Sequence, residues 1–443
     1  MLSTRSIRAL ALLVAAGVTA QAQAQAQDDA KLIARAHAIH AKAIKIDTHV
    51  DINPAQMIGP PPNYVTGIER NKVDLPKMEK DGLDAVFFSI YVGQRQDFSD
   101  SGYVRAYAGD IEKFDAVHTL AEKMTPDRIE IAYTAADVRR IHQAGRKVAL
   151  MGVENAYGIG TDITRVKTFY DRGARYISLS HDGHNQLTDS GTGETDGVWK
   201  WNGMSPLGRQ VVEEANRLGM MMDISHPSKQ SNLQVMAMSK APVIASHSGV
   251  RALCDQRRNL DDEQLLALKK NGGVVQLVAL GSFVKTPIPD SPERAAAVAQ
   301  LRKQFGMGRG AGQAAGQAAG QAAGQAAPRA AQQSDSARAL YRQKQAELDA
   351  KFPPSPRATV KDFVNHIDYA VKLIGVDHVG ISSDFDGGGG VDGYDNASES
   401  FNVTLELVRR GYSEKDIIAM WGGNLLRVME QTEKVAKQIQ AGR

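Results

Sequence analysis

The sequence predicts an α/β fold in which eight parallel strands close into a (β/α)8, TIM-like barrel. Three observations lead there. Eight apolar, β-rich runs recur along 443 residues. Helical patterns separate most of them, and strand–helix alternation favours a parallel sheet covered by helices. Most runs also end in a residue able to bind metal or move a proton. In a barrel the C-terminal strand ends form the active-site face, so these polar residues would converge there.

Taken in order, the chain opens on Arg5 and Arg8, an apolar run from Ala9 to Ala20, and small-residue sites through Ala22, Ala24 and Ala26. This reads as a secretory signal over 1–26, too short to span a bilayer. Residues 27–44 have helical spacing and lead into the first run, Lys45–Ile52, which carries His49 and Asp51. A helix or turn at 73–82 feeds the second run, 83–92, and helical patterns at 103–124 and 135–145 precede the third, Lys147–Glu154. The fourth, Tyr176–His181, opens onto a Gly- and Asp-rich loop at 182–203, expected over the barrel mouth. A helix at 205–219, with Ser205 as N-cap, Pro206 at N1 and a terminal Gly219, precedes the fifth run, Met220–His226. The sixth is Pro242–His247 and the seventh 272–280.

Residues 282–358 then break the pattern. GQAA is repeated four times at 312–327. A Gly every fourth residue costs a helix about 1 kcal/mol each relative to Ala, and no apolar stripe compensates. The segment reads as a surface insertion, disordered or marginally helical, between the seventh and eighth strands. A helix at 361–375 leads to the eighth run, Val379–Asp384. The expected organisation is therefore a leader at 1–26 and one barrel domain at 27–443 that includes the 282–358 insertion.

Composition narrows the function. Lysine and arginine total 53 against 50 acidic residues, and without Arg5 and Arg8 the remainder holds 51 basic residues. No electrostatic footprint for nucleic acid or anionic lipid is visible. Cys254 is the only cysteine, so no intramolecular disulfide forms, and it lies far from where a lipid anchor would attach. The polar tail KQIQAGR carries no C-terminal anchor signal. An exported protein without a membrane anchor, periplasmic or secreted, is expected.

The candidate site residues point to metal chemistry. His49 and Asp51 are two apart on a strand, so both face the barrel interior. Glu154, His226 and His247 would meet them on the same rim, a set matching the imidazole and carboxylate ligands that zinc prefers. One glutamate between two pairs can bridge two ions, an arrangement that polarises a carbonyl and activates water.

The stretches IDTHVDI, GVENA, YISLSH, MMDISHPS, PVIASHSGVRALCDQRRN, HVGISSDFDGG and GGNLLRV run in order from about 46 to 428. In these the chain resembles the membrane (renal-type) dipeptidases, zinc dipeptidases of peptidase family M19 among the metal-dependent amidohydrolase barrels. The resemblance implies two zinc ions per chain, one on His49 and Asp51, the other on His226 and His247, with Glu154 bridging. It implies that Asp384 relays a proton from water to the leaving amine. His181 would hydrogen-bond the scissile carbonyl, and Arg258 would clamp the C-terminal carboxylate of a dipeptide substrate. It also suggests a homodimer.

Each assignment has a competitor. His181 can instead hold a ligand in place, and Asp386, expected on the same strand face as Asp384, can exchange roles with it. Arg257 and Arg258 are adjacent and point apart, so only one can clamp. Asp47 and Asp223 read as hydrogen-bonding residues, His184 as a loop residue, Cys254 as packing, and Tyr91 and Gln276 as candidates to line the pocket. Many related barrels bridge their metals with a carboxylated lysine, whereas the corresponding run here offers Glu154. That favours the dipeptidase branch over phosphotriesterase- or dihydroorotase-like relatives. Another amide, lactone or β-lactam hydrolase on the same scaffold is the alternative that a substrate screen separates, and the full ligand set with Asp384 argues against a catalytically silent binding protein.

Overall fold

The computed structural model describes residues 27–94, 98–305 and 335–442, with no side chains described at 335–338. The expected leader and the GQAA repeats therefore lie outside the described residues. Nine strands form one parallel sheet: β1 (Ile46–Asp51), β2 (Ala85–Tyr91), β3 (Ile129–Ile131), β4 (Lys147–Glu154), β5 (Ala174–Ser178), β6 (Met221–Asp223), β7 (Ile244–Ser248), β8 (Val274–Val278) and β9 (Val379–Ser382). Their order is β1-β2-β4-β5-β6-β7-β8-β9. The amide of Asp51 donates to the carbonyl of Phe385 at 2.9 Å, bringing the end of the sheet back to its start. The result is the nearly closed eight-stranded barrel that the alternation predicts.

The eight expected runs are the eight barrel strands. β3 is an addition off the barrel path: three residues paired with the start of β4, through Ile129↔Lys147 and Ile131↔Ala149. So short a run carries no period-2 signal, which is why sequence reasoning passes over it.

The helices form where caps and spacing place them. Ser205 accepts from the amide of Gly208 at the start of helix Pro206–Leu218, and Gly219, with φ of 89°, ends it. Thr359 and Asp362 form a reciprocal capping box on helix Val360–Ile374. At the N-terminal ends of the strands, Ile46, Ala85, Val148, Met221, Ile244 and Val274 pack against Leu425, Leu426, Val428 and Met429. Those four belong to helix Asn424–Gln440, which plugs the barrel floor. Burying each such side chain contributes about 1.5–3 kcal/mol before entropy. The floor is thus sealed by apolar packing, and the opposite end is left for chemistry.

Inside the barrel, Tyr176 of β5 lies against Gly152 of β4, where any Cβ would collide with its ring. The glycine lets the phenol cross the barrel toward His49.

The flanks of the insertion are more ordered than expected. Helices Pro292–Gln304 and Asp335–Lys351 pack on each other, with Arg294 paired to Asp290 at 3.0 Å and Asp349 at 2.8 Å. Among the described residues no helix is long and apolar enough to cross a membrane. Cys254 is buried against the carbonyl of Ser282.

Candidate active site

A cavity of about 520 Å³ opens at the C-terminal ends of the strands. Asp51, Glu154, His181, His226, His247, Arg258 and Asp384 all line it, and His49 lies directly beneath. Glu154 is the hub. Its Oε1 is 2.9 Å from His226 Nε2, 3.6 Å from His247 Nε2 and 3.8 Å from His181 Nε2. Its Oε2 is 3.3 Å from His49 Nε2 and accepts from Ser89 Oγ at 3.1 Å.

On His49 and His247 the outer ring nitrogens are spoken for. His49 Nδ1 meets the Tyr176 hydroxyl at 3.0 Å. His247 Nδ1 meets Ser246 Oγ at 2.8 Å, and that hydroxyl donates to Asp223 at 2.6 Å. Such partners set the ring orientation of metal-binding histidines and leave Nε2 facing inward. His226 Nε2 and His247 Nε2 lie 2.9 Å apart, and Asp384 Oδ1 is 3.9 Å from His49 Nε2. Three groups of ligand atoms fall within 4.8 Å of one another: His49, Glu154 and His247; Glu154, His181 and His226; His49, Asp51 and Asp384. Two imidazole nitrogens facing each other at such a distance, with three carboxylates nearby, form a donor set that a cation satisfies. The residues therefore fit metal ions, with Glu154 common to two of the groups.

The electrostatics agree. Burial opposes charge on Glu154, yet His49 and His226 hold its carboxyl well below the usual range. Burial also disfavours the His49 cation, but Glu154, Asp51 and Asp384 push its pKa up to about 10. Burial and repulsion from Asp51 and Glu154 drive Asp384 well above the carboxylate range, despite attraction to His49. Burial and the neighbouring His226 ring pull His181 down to about 3, leaving a neutral imidazole packed on Tyr91 and His226. The carboxylates of Asp51, Glu154 and Asp384 thus oppose one another's ionisation, a repulsion that a cation among them relieves.

Backbone strain collects here. His226 has φ of 89°, Asp384 57°, Asp386 64° and Asn155 68°, all in the left-handed region that non-glycine residues rarely adopt. Asp386 is not on a strand face shared with Asp384, because β9 has already ended at Ser382. Its two oxygens accept from the amides of Lys72 and Val73 at 2.8 and 3.1 Å, which commits it to holding the backbone.

The two adjacent arginines diverge. Arg257 pairs with Asp182 at 2.8 Å, while Arg258 is buried, lies over the Phe283 ring at 5.5 Å and has an unpartnered Nη2. Asp47 accepts from His49 N, Ser382 Oγ and Ser383 N, and Asp223 from Ser225 N and Ser246, the hydrogen-bonding roles expected of both. His184 sits in the mouth loop with Nδ1 toward Ser190 N, and Tyr91 lines the cavity. Gln276 lies against Gly380 and is not among the cavity-lining residues.

Three residues escaped sequence reasoning. Asp182 Oδ1 lies 3.7 Å from His226 Nδ1; although burial favours its neutral form, His226, His181 and Arg257 hold it well below the carboxylate range. Its adjacency to His181 was the available signal. Tyr176 was hidden in an apolar strand. Lys113, in helix Asp100–His118, also lines the cavity, and nothing in its helical pattern distinguished it from a solvent-facing lysine.

A parallel barrel with imidazoles and carboxylates converging at its C-terminal face defines the metal-using barrel hydrolases. Within that class, residues 33–443 match the model of the membrane dipeptidase family, peptidase family M19, and the chain belongs to this family of dipeptidases. It is 29% identical over 368 residues to dipeptidase tcpJ of Claviceps purpurea, covering 82% of this chain and 70% of the relative. It is 29% identical over 372 residues to dipeptidase aclJ of Aspergillus oryzae, covering 83% and 72%. Among solved structures, the probable dipeptidase PvdM from Pseudomonas aeruginosa superposes with a TM-score of 0.72 at 31% identity, over 92% of this chain and 99% of that one. A metallopeptidase from Rhodobacter sphaeroides, liganded with a phosphinate mimic of L-Ala-D-Ala, shares the fold. It has a TM-score of 0.63 at 21% identity, over 88% and 100% of the two chains.

Proposed function

We propose that this dipeptidase is a two-zinc enzyme that hydrolyses dipeptides bearing a free C-terminal carboxylate, without a covalent intermediate. The observation that carries the reading is Glu154, whose two oxygens face different histidines, His49 on one side and His226 with His247 on the other. His49 and Asp51 would hold one zinc and His226 and His247 the other, with Glu154 shared between the two sites. When bound, the pair supplies Lewis acidity and a nucleophilic water at neutral pH.

The chain's own residues do the rest. Asp384 takes the proton of the attacking water and delivers it to the leaving nitrogen, a role its position beside His49 and Asp51 supports. Gly387 supports that placement, because a Cβ there would crowd both Asp51 and Asp384. His181 donates from its neutral ring to the scissile carbonyl oxygen as charge develops. Arg258 pairs with the substrate's C-terminal carboxylate, for which its unpartnered Nη2 is available. Export under the 1–26 leader would put this activity outside the cytoplasm.

The test is a panel of dipeptides, their C-terminal amides, lactones and β-lactams, assayed on zinc-loaded protein with metal content measured on the same sample. Hydrolysis confined to free-acid dipeptides supports the reading. Equal cleavage of acid and amide would leave a broader amide hydrolase, and preferential turnover of lactones or β-lactams would replace it.

A further inference from the structure

Lys113 stands in the cavity wall without a partner. It belongs to helix Asp100–His118 and lines the cavity with Asp51, Tyr91 and Glu154. Its Nζ lies 5.7 Å from the centre of the Tyr91 ring, and it makes no hydrogen bond or ion pair among the described residues. Asp110, one turn earlier, does not neutralise it: burial pushes that carboxyl well above its usual range, and it too lacks a partner. Burial works against its charge, and Asp51 and Glu154, the carboxylates that favour that charge most, are the ones assigned to the zinc ions, so in the loaded enzyme a substrate anion is the counter-charge left to it.

Its place relative to Arg258 indicates which part of the substrate supplies that anion. Lys113 follows β2 and stands over Tyr91 at the end of that strand, whereas Arg258 follows β7 and stands over Phe283. β2 and β7 are four places apart in the eight-strand order, so the two cations face each other across the barrel mouth. Glu154 acts on both, so the reacting amide lies between them. With the C-terminal carboxylate on Arg258, the N-terminal residue extends toward Lys113. A neutral or basic side chain would leave the substrate's α-ammonium facing a like charge there. A carboxylate side chain offsets both cations.

We propose that Lys113 is a specificity-determining residue that selects dipeptides whose N-terminal residue carries a side-chain carboxylate, aspartyl or glutamyl. This rests on the dipeptidase reading above, with Arg258 as the C-terminal clamp.

The experiment compares Glu-Ala with Gln-Ala, which differ only in that charge, on zinc-loaded wild type, Lys113→Met and Lys113→Arg. Wild type should prefer Glu-Ala in kcat/KM by roughly 10- to 100-fold, the range of a charge-assisted hydrogen bond, with the difference mainly in KM. Lys113→Met should lose the preference by turning over Glu-Ala more slowly and Gln-Ala somewhat faster, since the repulsion of its α-ammonium is relieved, and Lys113→Arg should retain most of it. Equal use of Glu-Ala and Gln-Ala by wild type overturns the proposal while leaving the dipeptidase reading intact. So does a Lys113→Met variant with an unchanged ratio. Failure of wild type to cleave any dipeptide would instead locate the error in the parent reading, and the proposal would fall with it.

Discussion

Replacing Arg258 with alanine separates substrate recognition from folding, because this side chain is buried at 6% exposure yet has an unpartnered Nη2. Among the described residues no carboxylate makes an ion pair with it, whereas neighbouring Arg257 is matched to Asp182. Removing it takes away a buried cation that Asp182, Glu154 and Asp384 favour only from beyond ion-pair distance, so the fold should lose little. Stability should stay within about 1 kcal/mol, the scale of an ordinary substitution. The substrate loses more. A hydrogen bond to a charged group contributes about 1.5–3 kcal/mol, and at about 1.4 kcal/mol per decade that is roughly 10- to 150-fold. The assay measures kcat/KM for one dipeptide and its C-terminal amide, on wild type and Arg258→Ala with equal metal content. Wild type should favour the acid, and the variant should lose most of that preference through KM. A variant that keeps the preference refutes the clamp; one that loses its metal marks Arg258 as structural.

Glu154→Gln should abolish turnover and lower bound zinc, since an amide cannot present anionic oxygens to both His49 and the His226–His247 pair. Two tightly held ions with near-normal rates would contradict bridging. Asp384→Asn should keep the metals and lower kcat by ~10²–10⁴-fold, the usual contribution of general acid–base catalysis; an unchanged kcat would move the proton relay elsewhere. His40 offers a pH test away from the cavity. Burial, aided by Lys45, lowers its pKa from 6.5 to about 4, and its ring bridges Thr404 Oγ1 at 2.7 Å and the Asp81 carbonyl at 3.2 Å. The unfolded chain takes up this proton first, so stability is full above pH ~6.5 and falls as pH drops toward ~4, by roughly 3 kcal/mol. Denaturant titrations of metal-free wild type and His40→Gln at both ends of that window should differ by this loss, and parallel curves would refute it.

The barrel was legible because its strands are buried on both faces and finish in polar residues. Apolar runs stopping at Glu154 or His247 mark strand and site at once. β3 escaped because its three residues pair outside the barrel path and carry no period. The paired flanks of the insertion escaped because Arg294 and Asp349 stand 55 positions apart and meet only in three dimensions. Within the site, residues ending a strand were readable, whereas those arriving sideways were not. Tyr176 reaches His49 only because Gly152 leaves room across the barrel, and Lys113 reaches the cavity only through the docking of its helix. Asp386 was misplaced because the backbone turns left-handed after Ser383, which strand alternation does not anticipate.

The most direct test titrates metal-free protein with Zn²⁺ while following hydrolysis of a free-acid dipeptide and counting bound metal in the same samples. The account predicts no turnover without metal, and activity that rises to a plateau at two equivalents per chain. Full activity in the presence of a strong chelator, or a plateau at one equivalent with no second ion bound, would contradict it.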